Sequence, residues 1–222
     1  MTTAGVRQSA PGAAPAPVHG AIHGWLRLAY LYLVSRRAPA ALALLAAFGA
    51  LLWAALHWHW NIAGGPAAQS VIPLTIETGA AAVIAVTAHG PFGEPERAAG
   101  RWLPCLRLGA IMALTAAAAG LLAAGAAGGA LPGGFLAMAR NVAGITGIGL
   151  LSAVALSGAL AWTGPMAYLV LTETALAGNA TTPWIWPARP PHDVGGALTA
   201  AGVFTAGALL LTVRGARASV RD

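Results

Sequence analysis

The sequence predicts an all-α membrane protein: one polytopic bundle of about six spanning helices, preceded by a helix lying on the membrane surface. Composition gives the class, because 58% of the 222 residues are hydrophobic, only 8% are charged, and the mean hydropathy is +0.71. Soluble domains carry roughly a quarter charged residues. Apolar stretches near the length of a membrane crossing, about 20 residues, give the count. Arginine placement gives the orientation.

Residues 1–22, rich in Ala, Pro and Gly, lack the apolar core of a signal peptide and are expected to form a disordered tail. The membrane domain is expected over 23–217. It begins with "GAIHGWLRLAYLYLVSRRAP" (20–39), apolar enough to bind a bilayer but too interrupted to cross one. An in-plane helix over 23–37, turning at Ala38-Pro39 into the first span, accounts for it. The spans then read as 39–58, 70–88, 108–127, 141–162, 165–178 and 195–213. The fifth is short: at 1.5 Å per residue its 14 residues reach about 21 Å of a roughly 30 Å core. It should lead into an irregular external region shaped by Pro183, Pro187, Pro190 and Pro191, which must be covered by protein or reach water.

All basic side chains are arginines, for the chain has no Lys; the net charge is +6. Arg27, Arg36 and Arg37 precede the first span, Arg97, Arg101 and Arg107 lie between the second and third, and Arg214, Arg217 and Arg221 follow the last. Placing these clusters in the cytoplasm puts both termini there and requires an even number of crossings. Arg140 and Arg189 are exceptions, falling on the outer side. Trp53, Trp58, Trp60, Trp184 and Trp186 suit an outer aromatic belt.

Several chemistries are excluded by what the chain lacks. Without Lys there is no P-loop lysine and no Schiff base, so no ATPase site can be built here. The single Cys105 rules out an intrachain disulfide or a thiolate metal cluster, and reads as a small packing residue near a membrane surface. His57 and His59 point about 200° apart on a helix and have no acidic neighbour, so no metal site is expected. A serine protease at Ser157 lacks a histidine on the last span to serve as base. No aromatic-basic patch points to nucleic acid, and no cofactor is implied. The Asn179-Ala180-Thr181 sequon is matched without deciding anything.

Glu77 in the second span and Glu173 in the fifth stand out, because a mid-membrane charge costs at least about 2.5–3.5 kcal/mol. They are expected to line a translocation path or to pair with Arg140; protonation, or a position nearer the interface, is the alternative. Gly149, Ala153, Ser157 and Ala161 recur every four residues, a small-residue ridge suited to close helix packing.

In its order of parts the chain resembles the six-span membrane subunit of a type 2 ABC exporter. The matching features are the surface helix, the charged loop "FGEPERAAGRWLPCLRL" between spans two and three, a short turn at Trp162-Pro165, and the irregular segment before the last span. The resemblance implies that Glu94, Glu96, Arg97 and Arg101 form a coupling helix docking on a separate ATP-binding subunit, in a permease homodimer or heterodimer in the bacterial cytoplasmic membrane. A purely topological role for these arginines is the other reading. A secondary transporter or channel using Glu77, Glu173 and Arg140, or an accessory membrane subunit, are the alternatives from other classes.

Overall fold

The computed structural model describes residues 37–58, 66–88, 103–131, 133–178 and 182–215. The tail over 1–22, the surface helix up to residue 36, His59, Trp60, the sequon, Arg217 and Arg221 lie outside them, as do Glu94, Glu96, Arg97 and Arg101. The described residues form six α-helices and two 3-10 turns, with no strand among them: α1 Ala38–His57, α2 Pro66–Thr87, α3 Leu103–Ala126, α4 Gly134–Ala155, α5 Thr163–Ala177 and α6 Val194–Arg214.

Helix starts follow local chemistry. Arg37 caps α1 in a left-handed conformation (φ 57°), with Pro39 in the first turn where its missing N–H is harmless. Asp193 caps α6, its side chain accepting the Gly196 N–H. Inside the helices Thr75, Thr78, Thr87 and Thr115 donate their hydroxyls to the carbonyl four residues earlier, so these four O–H groups are paired within their own helix.

Five helices, α1 to α4 and α6, are long and apolar enough to cross a membrane, which fits an integral membrane protein. The fifth predicted span is the exception, with 15 residues in α5. The fourth departs from expectation in position. It was expected over 141–162, but α4 starts at Gly134 and ends at Ala155, two turns earlier. Gly133 and Gly134, both at positive φ, set its start. Ser157, extended at φ −172°, ψ 163°, breaks the chain and caps the 3-10 turn Gly158–Leu160. Apolar composition runs on past this break, so hydropathy alone overshoots it. The expected four-residue ridge is broken with it: Gly149 and Ala153 stay on α4, whereas Ser157 and Ala161 sit in the connection to α5, although all four are buried. For the same reason the turn expected at Trp162-Pro165 is a longer link over 156–162.

Glycines at the crossings fix the helix directions. A Cβ on Gly125 of α3 would collide with the Gly49 carbonyl of α1, and one on Gly129 just beyond α3 would meet Leu56. Thus α1 and α3 run parallel. Gly147 of α4 faces Val203 and Phe204 of α6 and its carbonyl faces Gly207, while Gly149 abuts Ala85 of α2. With the Glu77–Asn141 contact further along the same pair, helices α2, α4 and α6 share one direction. Helix α5 runs against α4, with Gly164 on Ser152 and Pro165 on Gly149. Helix α4 is the centre, touching every other helix except α1 extensively. Of its span 61% is buried, against 28% for α1, α3 and α6.

This arrangement gives the bundle two distinct ends. Arg37, Arg107 and Arg214 gather at one, where Arg107 reaches the residue after α6, Gly215. The other carries Trp53, Trp58 and Trp184, all exposed, and the segment 182–193. Trp186 does not join that belt. It is 2% exposed, lying over Gly144 and stacked on Tyr168 with ring centroids 4.6 Å apart, because the missing Cβ at 144 leaves room for an indole. Cys105, expected to pack, is exposed in the first turn of α3 at the basic end.

Candidate functional site

The polar side chains buried in the bundle concentrate at the end away from the basic residues. There the segment 182–193 leaves α5, folds over the helix ends and enters α6. Internal turns shape it, from the Ile185 N–H to the Thr182 carbonyl (3.0 Å), from Arg189 to Trp186 (3.1 Å) and from Asp193 to Pro190 (3.0 Å). Three helices then hold it down. Tyr168 of α5 donates its hydroxyl to the Trp184 carbonyl at 2.9 Å. Arg140 of α4 donates from Nη1 to the Pro190 carbonyl at 2.9 Å and from Nη2 to the Arg189 carbonyl at 3.0 Å. Asp193, at the start of α6, is gripped by the Arg189 guanidinium through Nε (3.0 Å) and Nη2 (2.8 Å), while its Oδ2 takes the Gly196 N–H. The Arg189 guanidinium, then the Gly196 N–H, hold the Asp193 carboxyl below the usual carboxylate range, and the same contact raises Arg189.

Prolines explain why Arg140 is needed. Pro187, Pro190 and Pro191 cannot donate, so this backbone builds no regular ladder and leaves carbonyls that require donors from elsewhere. A guanidinium with five N–H groups is suited to two adjacent carbonyls. Arg140 is 8% exposed and thus belongs to the interior, not to a charged outer rim.

Beneath the segment lies a cavity of about 340 Å³, walled by Ser70, Pro73, Leu74 and Glu77 of α2, Ala137 and Asn141 of α4, Leu176 of α5, Gly133, and residues 187–191. Glu77 and Asn141 are 3% and 7% exposed, and Asn141 Nδ2 donates to Glu77 Oε2 at 2.9 Å. The amide thus presents its nitrogen to Glu77 and turns Oδ1 away. Asn141 Oδ1 has no hydrogen-bond partner.

The expected set of Glu77, Arg140 and Glu173 is therefore divided. Glu77 and Arg140 both lie at this end, but the hydrogen bond of Glu77 goes to Asn141, and Arg140 serves the Pro190 and Arg189 carbonyls. Glu173 is half-buried on α5 and does not line the cavity. Asn141, Tyr168 and Asp193 carry no expectation from the sequence, and Trp186 was expected only in the outer aromatic belt. Two of them leave a readable signal: an Asn inside a span usually bonds across helices, and an Asp just before an apolar run is an N-cap. Among the described residues no three His, Cys, Asp or Glu gather to hold a metal.

Compared with protein-family models, curated proteins and solved structures, the chain matches none of them.

Proposed function

We propose that this chain is the membrane-embedded permease subunit of an ATP-driven exporter, working as a dimer with a second permease and energised by a separate ATP-binding subunit. The observation that carries the reading is the two-ended bundle, basic at one end and bearing a covered polar cavity at the other. Helix α1 begins, and α6 ends, at the basic end. Helix α5 runs from near Pro165 at the basic end to Leu176 in the cavity wall, which supports counting it as a sixth crossing despite its 15 residues. Positive residues favour the cytoplasm, which places both termini inside and the cavity outside, in the cytoplasmic membrane of a bacterium.

On this reading Glu94, Glu96, Arg97 and Arg101 contact the ATPase on the cytoplasmic side, and Glu77 lines the outer part of the path. Closure of the ATPase dimer must favour one arrangement of the helices over another, through differential contact with that loop. Affinity purification of the full chain from its native membrane tests this. The expected result is a co-purifying subunit that hydrolyses ATP, lost when Arg97 and Arg101 are both replaced by Ala. Purification without any such subunit contradicts it.

The buried carboxylate in the cavity favours a second reading, a secondary transporter or channel that works through Glu77 alone. Transport that continues after removal of every cytosolic ATPase selects it.

A further inference from the structure

Most of the side-chain nitrogens around the cavity already engage protein partners. Asn141 Nδ2 is committed to Glu77, both terminal nitrogens of Arg140 to carbonyls, and the Arg189 guanidinium to Asp193. The Ala188 and Arg189 N–H groups close turns within their own segment, and the prolines beside them have none.

Glu77, in contrast, keeps acceptor sites open. The Glu77 carboxylate takes one hydrogen bond among the described residues, against about four lone-pair sites. Asn141 Oδ1 is unpaired but enclosed by protein, so it does not face the cavity. Pro73, in the wall, brings no N–H. Leu74, Ala137 and Leu176 make the remaining wall apolar.

Buried polar groups require partners, and a cavity whose acceptor capacity sits on one carboxyl group suits a ligand that brings donors and positive charge. The volume lies at the small end of organic ligand sites, which run from about 300 to 1,000 Å³. We infer that this cavity binds a small organic ammonium ion, its N–H groups donating to Glu77 and its carbon chain against Leu74 and Leu176. This names the substrate class of the transport reading above and rests on it. Arg140 gives its hydrogen bonds to the covering segment and none to Glu77, although its charge acts on that carboxyl group.

The test is isothermal titration of the purified full chain, with any subunits that accompany it, using n-butylammonium chloride. Sodium butyrate and potassium chloride serve as the anionic and inorganic probes. Saturable binding of butylammonium is expected, and neither comparison salt should bind. Glu77→Gln should weaken it by about tenfold or more, the loss of one charge-assisted contact. Leu176→Trp, which fills the wall without touching the carboxylate, should do the same, so the test survives if Glu77→Gln does not fold. Circular dichroism establishes that each variant keeps its helices. Equal affinity in wild type and both folded variants overturns the inference, as does saturable binding of butyrate or potassium instead, or no binding of butylammonium at all. Amine binding by a chain that recruits no ATPase retains this site while removing the exporter reading. An ATPase partner without amine binding does the reverse.

Discussion

Two parallel helix pairs in this molecule are held together by opposite means. Between α1 and α3 the contact is backbone on backbone, Gly49 against Leu121 and Gly125, with Leu45, Leu52 and Leu122 packed around it. Between α2 and α4 a similar close approach at Ala85 and Gly149 gives way, two turns toward the cavity, to the Glu77–Asn141 hydrogen bond. Lipid offers no hydrophobic drive for helices to associate, so each pair depends on dispersion, hydrogen bonding or both. The first pair does so with no buried charge. The second keeps a carboxylate out of water beside a cavity, an arrangement that packing does not require and that points to function.

Breaking the polar region should have the largest effect. Arg140→Leu removes two charge-assisted hydrogen bonds and strands two carbonyls, an expected loss of about 3 kcal/mol or more in equilibrium unfolding in micelles. Limited proteolysis should then cut within 182–193, where the wild type resists. Next comes the glycine pair. Gly125→Ala drives a methyl into the Gly49 carbonyl, which cannot yield as a flexible side chain does, at about 1–3 kcal/mol. The fraction that stays folded should bind butylammonium as wild type does, because the cavity is built by other helices.

Asn141→Leu sharpens the contrast from the other side. It leaves Glu77 without its donor, an expected loss of about 1–3 kcal/mol, and weakens amine binding, whereas Gly125→Ala affects stability alone. Titration calorimetry on both variants separates the two. The smallest effect belongs to Asp193→Asn, which keeps a capping oxygen but loses the charge on the Arg189 pair. Asp193 has a carboxyl pKa lowered by folding, so its contribution is fully present above the unfolded value and lost as pH falls through the lower folded one. Thermal unfolding measured down an acid series should lose this component in wild type, and the variant should lack that part of the slope.

Much of the bundle was legible because lipid imposes a simple demand: about 20 apolar residues per crossing. That rule locates α1, α3 and α6 within a few residues. It misplaces α4, since the link around Ser157 and Gly158 is as apolar as the helix before it, and only backbone conformation marks the break. Glu77 was legible from its charge alone. Its partner Asn141 was not, because a hydrogen bond between residues 64 apart depends on helix register, which apolar composition leaves open. Arg140 was legible as an anomaly with the wrong partner assigned. Two uncapped carbonyls in a proline-rich loop present no charge to notice, and they compete well for a guanidinium.

The central claim is that the bundle has a cytoplasmic basic end and an outward cavity covered by 182–193. Cys105, the single cysteine, lies exposed at the basic end and serves as a native reporter. Its counterpart is Ala188→Cys in a Cys105→Ser background, at the cavity wall. Intact cells are treated with a membrane-impermeant maleimide, and the same labelling is repeated after lysis. The account predicts that the thiol at 188 labels in intact cells while Cys105 labels only once the membrane is opened. Labelling of Cys105 in intact cells, with the thiol at 188 protected until lysis, would contradict it.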